Sequence, residues 1–105
     1  MLNVSYDTKQ LRAVCTRIEE AQAQLGPGPA AELHELLAEA ESFLTAAELI
    51  EFRDGEILGG DSLSFPFGAR YRAAFNAVGE NLPREEDGSV AWGQVRRIML
   101  IEISP

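Results

Sequence analysis

Apolar positions along the first half of the chain recur at helical spacing. Along the second half they alternate as they do in strands. Residues 2–6, Leu-Asn-Val-Ser-Tyr, alternate and predict a short strand with Leu2, Val4 and Tyr6 on one face. Asp7, with Gln10 three positions later, has the form of a capping box. Beyond it Leu11, Val14, Cys15, Ile18, Gln22 and Leu25 fall on one stripe, apolar except at Gln22, which predicts one continuous helix. Gly26-Pro27-Gly28-Pro29 stops that helix and starts a second, with Leu33, Leu36, Leu37, Ala40, Phe43, Leu44 and Ala47 inward and Glu32, Glu35 and Glu39 outward. So short a connection predicts an antiparallel helical hairpin.

Thr45 and Glu48 form a second capping-box pattern, which predicts a helical turn near 46–50. The pattern then changes to strands. A strand or extended arm is expected near 51–58, broken at Gly59-Gly60-Asp61. Ser-Leu-Ser-Phe-Pro-Phe follows, with Pro66 favouring a sheet edge or bulge, and a turn at Gly68-Ala69 leads into residues 70–78. Pro83, Asp87-Gly88 and the local charge make 80–94 a loop. Residues 95–103, Val-Arg-Arg-Ile-Met-Leu-Ile-Glu-Ile, are apolar on both faces and should lie centrally in the sheet. The expected fold is one α+β domain over 1–105, with an N-terminal strand and a helical hairpin packed on a mostly antiparallel sheet of four to five strands.

Charge changes this picture only when it is located. The chain carries a formal net charge of -8. Residues 1–29 balance, as do 62–105. The excess lies in 30–61, where nine acidic side chains meet only Arg53. An acidic chain is a poor general ligand for nucleic acid, but a partner feels the local field, and the sheet half is neutral. No apolar run reaches the length of a membrane span, and the first residues lack the layout of a signal peptide, so the expected location is the cytoplasm. The single cysteine, Cys15, reads as a thiol packed on a helix face, and the single histidine, His34, as a solvated helix residue. Neither gives a metal cluster or a nucleophile paired with a base, and no cofactor is expected.

The candidate chemistry is cationic. Strand alternation sets Arg70 and Arg72 on one face with Tyr71 on the other, and separates Arg97 from Arg96 on the last strand. If these strands are neighbours, one of the last two arginines can join Arg72 on a common surface. The guanidinium fork suits phosphate because it stays charged and donates two parallel bonds. The plainer reading is that Arg70 and Arg72 pair with nearby carboxylates.

The order of elements, together with Ile57–Phe65, Arg70–Phe75 and Asn81–Ile103, resembles the RelE/ParE superfamily of small bacterial toxins, and within it the HigB-like members. Pro83, Asp87-Gly88, Trp92, Val95 and the closing Ile101-Glu102-Ile103 carry most of the likeness. The resemblance implies the toxin of a type II toxin-antitoxin pair, a ribosome-dependent mRNA endoribonuclease held inactive by a cognate antitoxin of helix-turn-helix type. It places Arg72 on the concave sheet surface as a phosphate-stabilising residue, with Arg97 a second match. Asp61, or a carboxylate such as Glu80, is left to act as base, and Arg70 and Arg96 to contact RNA. Two alternatives stand beside it. One is a gyrase-directed, ParE-like toxin. The other is a RelE-fold protein-binding module without catalysis, suggested by the acidic charge, by Gly59 where relatives carry lysine, and by Ser104-Pro105 where relatives carry an aromatic and a basic or imidazole residue.

Overall fold

The computed structural model describes residues 1–105. Strand β1 (Asn3–Tyr6) leads into helices α1 (Lys9–Thr16), α2 (Ile18–Leu25), α3 (Pro27–Ser42) and α4 (Ala46–Phe52). Strands β2 (Glu56–Ile57), β3 (Ser62–Phe67) and β4 (Tyr71–Ala77) follow, then a 3₁₀ turn at Trp92–Gln94 and strand β5 (Arg97–Ser104). The sheet order is β1-β5-β4-β3-β2, with β1 parallel to β5 and every other pair antiparallel. The fold is therefore α+β; β5 is an interior strand, flanked by β1 and β4, while the middle position expected for it is held by β4.

Helices α1 and α3 lie against the sheet, and α2 packs on α3 across Gly26. Between them and the sheet sits one core whose fully buried members include Leu33, Leu36, Leu49, Leu63, Phe65, Phe75, Ile98 and Leu100. Phe65 and Phe75 meet edge to face at 5.6 Å on adjacent strands. Gly55 is pinned by this packing, since a Cβ there would come within 2.5 Å of the Phe65 ring.

Several local expectations hold. The Thr45 hydroxyl accepts from the Glu48 amide while the Glu48 carboxylate accepts from the Thr45 amide, completing the capping box of α4. Pro66 sits where β3 has no partner on its β2 side, because β2 pairs only with Leu63 and Ser64. The Asp87-Gly88 turn is closed by Asp87, whose carboxylate accepts from the Ser89 amide and hydroxyl; these bonds hold its pKa below the ordinary value.

Others are corrected. The first helix is capped by Thr8, one residue later than Asp7, and its stripe is broken at Arg17, which is extended at φ -126° and ψ 109°. Thr16 donates its hydroxyl to the Arg12 carbonyl at 2.7 Å, a back-bond that competes with the helical ladder at that point. Past the break Ile18 is rotated outward and exposed. Helix α3 ends at Ser42, so Leu44 lies outside it and is exposed rather than inward. The expected arm at 51–58 is mostly not strand: α4 runs to Phe52, a turn follows at Arg53–Asp54, and only Glu56–Ile57 forms a strand.

Candidate functional site

One sheet face is covered by helices and the other is open. Register places the side chains of the open face in rows. One row runs Glu56, Ser64, Ala74, Glu102; the next, Pro66, Arg72, Ser104. On the other side of the first lies Ser62, Asn76, Met99, Ser5, where the Ser62 hydroxyl donates to Asn76 Oδ1 at 2.7 Å. A bulge in β5 at Ile101, between the pairs Ala74–Glu102 and Phe75–Leu100, keeps Glu102 on this face after the change of phase.

Arg72 is the best-anchored cation of the face. Its Nε donates to Ser64 Oγ at 2.6 Å, and its Nη2 lies 3.4 Å from Glu56 Oε2. Ser64 is only 4% exposed although it lies on the open side, and it takes Arg72 as its donor. The Arg72 side chain remains 41% exposed and that of Glu56 65%, so the ion pair is screened and opens readily to a competing anion. Glu102 stands diagonally across from Arg72 on β5, about 7 Å away between Cα atoms. The face thus offers one oriented fork held by Glu56, with Ser64 and Ala74 beside it on the same face.

The other nominated residues do not join it. Arg70 precedes β4, lies in the turn after Gly68, and places its guanidinium 5.8 Å from the centroid of Tyr71, whose ring stacks on Phe67. It therefore does not share the face of Arg72. Arg97 pairs through its carbonyl with the Val78 amide, six residues along β4 from Arg72, which puts the two about 20 Å apart. The expected common cationic surface of Arg72 with Arg96 or Arg97 is not formed, because β4 and β5 run antiparallel in a register that sets them at opposite ends. Asp61 accepts the Ala77 amide at its carbonyl, also at the far end, and its carboxylate is paired with Arg84 at 3.4 Å. Arg72, Arg97 and Asp61 are not one catalytic set.

Glu56 is the residue that sequence reasoning missed. Its proximity to Arg72 depends on the register of a two-residue strand, β2, which the pattern of residues 51–58 does not reveal. His34 is likewise corrected: it is half-buried and its Nε2 lies 2.9 Å from the Val14 carbonyl, bridging α3 to α1 rather than facing solvent. No group of three or more His, Cys, Asp or Glu side chains converges to hold a metal ion. No helix is long and apolar enough to cross a membrane.

Cys15 is buried, and burial pushes its thiol up to about 12. A thiol keeps its proton in the fold but loses it near its ordinary value of 9.0 in the open chain. The stability this contributes is therefore fully present below pH 9 and is lost as pH rises toward 12. At pH 8 the native protein should react with a thiol reagent at least tenfold more slowly than the denatured chain. Equal rates would place Cys15 at the surface.

Comparison of the chain with protein-family models, with curated proteins and with solved structures returned no match.

Proposed function

We propose that this chain is the toxin of a type II toxin-antitoxin pair, a RelE-fold, HigB-like endoribonuclease that cuts mRNA on the ribosome and is neutralised by a helix-turn-helix antitoxin. The observation that carries the reading is Arg72, on the strand where the resemblance expects its phosphate-stabilising arginine, oriented by Ser64 on the open sheet face. The strand order and the helical layer are compatible with it.

The chemistry such a site supports is cleavage by the RNA's own 2′-hydroxyl. A phosphodiester entering the face competes with Glu56 for the Arg72 fork. Glu56, then released beside the sugar, takes the 2′-hydroxyl proton. The 2′-oxygen attacks phosphorus, Arg72 stabilises the charge that builds on the phosphoryl oxygens, and the 5′-oxygen leaves with a proton from water. Arginine cannot itself serve as base, since it remains protonated.

The second reading, a RelE-fold binding module without catalysis, is favoured by one observation. The Arg72 fork is already occupied by Glu56, on a chain whose net charge opposes contact with ribosomal RNA. Expression of the chain alone in bacteria, with growth measured and mRNA 5′ ends mapped, separates the readings. The toxin reading expects arrest and new 5′ ends within translated regions. Arrest with DNA breakage and intact mRNA would indicate the gyrase-directed alternative, and normal growth with folded protein would indicate the binding module.

A further inference from the structure

Strand β5 runs from Arg97 to Ser104, but β1 accompanies it only from Arg97 to Leu100. The last bond between the two runs from the Asp7 amide to the Leu100 carbonyl at 3.0 Å, after which Thr8 caps α1 and the chain leaves the sheet. Past the bulge at Ile101, Glu102, Ile103 and Ser104 stay in register with Ala74, Ala73 and Arg72 of β4. On their other side no strand follows, and the N–H and C=O groups that point there meet no backbone or side-chain partner. Helix α1 does not replace the missing strand, because a helix bonds its main chain internally.

The helix side of this free edge is not filled either. A pocket of about 400 Å³ lies there, walled by Leu11 and Val14 of α1, Leu25 of α2, Tyr71 of β4, and Ile101 and Ile103 of β5. Tyr71 and Ile103 alternate with Arg72 and Glu102, so they turn toward the helices while those two stay on the open face. Of the six, all but Val14 are only half-buried, which leaves apolar area for a ligand to cover. The size lies within the usual range for ligand sites, roughly 300–1,000 Å³. An apolar recess and a row of unpaired main-chain groups thus lie side by side.

We infer that this edge takes an extended peptide segment of a partner protein, which adds a strand to Glu102–Ser104 in line with β1 and sets one bulky apolar side chain in the pocket. Strand addition uses both features: the main chain supplies the hydrogen bonds, and a pocket reads alternate side chains. The six wall residues carry no charge, so the anchor is an uncharged side chain such as Leu, Ile or Phe. A small apolar molecule would fill the pocket and leave the edge unpaired. A second copy pairing symmetrically through the same edge would bring Glu102 close to its own counterpart, on chains of net charge -8, and like charges opposed across strands destabilise the pair. The inference goes beyond the toxin reading and does not rest on it, since it uses the edge of β5 and the helix side of the sheet, whereas Arg72 stands on the open face.

NMR titration of the purified chain with end-blocked five-residue peptides Thr-Val-Xaa-Val-Thr, where Xaa is Leu, Ile or Phe, tests it. At least one peptide should give saturable shifts at the amides of 101–104 together with the methyl groups of Leu11, Val14 and Leu25. N-methylation at alternate peptide residues removes donors from one edge of the added strand and changes no side chain. It should weaken binding about tenfold or more in one frame and leave it nearly unchanged in the other. Aspartate at Xaa should weaken binding as much. Leu11→Gln, which puts a polar group into the pocket wall, should also lower affinity, and Leu58→Gln, beside β2 at the opposite edge of the sheet, should not. If Leu11→Gln alters the melting temperature, the methylated peptides decide on the wild-type chain. Three results would overturn the assignment. One is no saturable shift at these amides with any of the three peptides. Another is equal affinity for the parent peptide and both methylated frames, which would leave only an apolar cavity. The third is shifts at 101–104 that grow with chain concentration in the absence of peptide, which would give the edge to a second copy.

Discussion

Phe75→Ala should destabilise the fold by about 3–5 kcal/mol, which is much of the roughly 5–15 kcal/mol available to a domain of this kind. Phe75 is fully buried on β4, opposite Leu63 of β3 and Leu100 of β5, and its ring meets Phe65 edge to face. Truncation removes the apolar area and leaves a cavity bounded by strands and helices that cannot both close on it. Phe75→Leu, which keeps most of the volume, should cost well under half as much. Urea unfolding followed by circular dichroism gives both values, and a loss below about 1 kcal/mol for the alanine variant would remove Phe75 from the core.

Arg72→Ala should abolish growth arrest in cells and lower mRNA cleavage by about 10²–10³-fold, the usual effect of removing one preorganised group that stabilises transition-state charge. Its stability cost should be small, about 1 kcal/mol or less, because the pair with Glu56 is exposed on both sides. Arg72→Lys separates charge from geometry. Lysine keeps the positive charge but cannot reach Ser64 and the phosphate together, so activity should fall nearly as far. Glu56→Gln should preserve the fold and lower mRNA cleavage, because the amide cannot take the 2′-hydroxyl proton. Retained activity in Arg72→Ala would separate this residue from the chemistry.

The fold was more legible than the site, for a physical reason. Periodicity reports which face of an element is buried, and it served for β1, for the buried stripe of α3 and for β5 as an interior strand. Helix ends were less accessible. The Thr16 back-bond that ends α1 competes with a ladder whose stripe looks continuous, and Phe43 and Leu44 extend an apolar pattern past the point where the chain leaves the helix. Site geometry depends on pairing, which no single strand encodes. Arg72 and Arg97 are both on strands of one sheet, yet the antiparallel β4–β5 ladder opposes Arg72 to Ser104 and sends Arg97 to the other end. The same ladder that separates the nominated residues brings Glu102 beside Arg72, and β2 brings Glu56.

The acidic excess and the open sheet face lie in different parts of the chain. Residues 30–61 carry the negative balance through α3 and α4, whereas the open sheet face belongs mostly to the neutral half. Glu56 is the exception, and it is the carboxylate that holds Arg72.

The central claim is tested most directly by adding the purified chain to ribosomes programmed with a defined mRNA and reading the RNA by primer extension. The account predicts cleavage at discrete positions within the ribosome-bound message, dependent on ribosomes and absent with Arg72→Ala. Intact mRNA in the presence of the folded wild-type chain would contradict it.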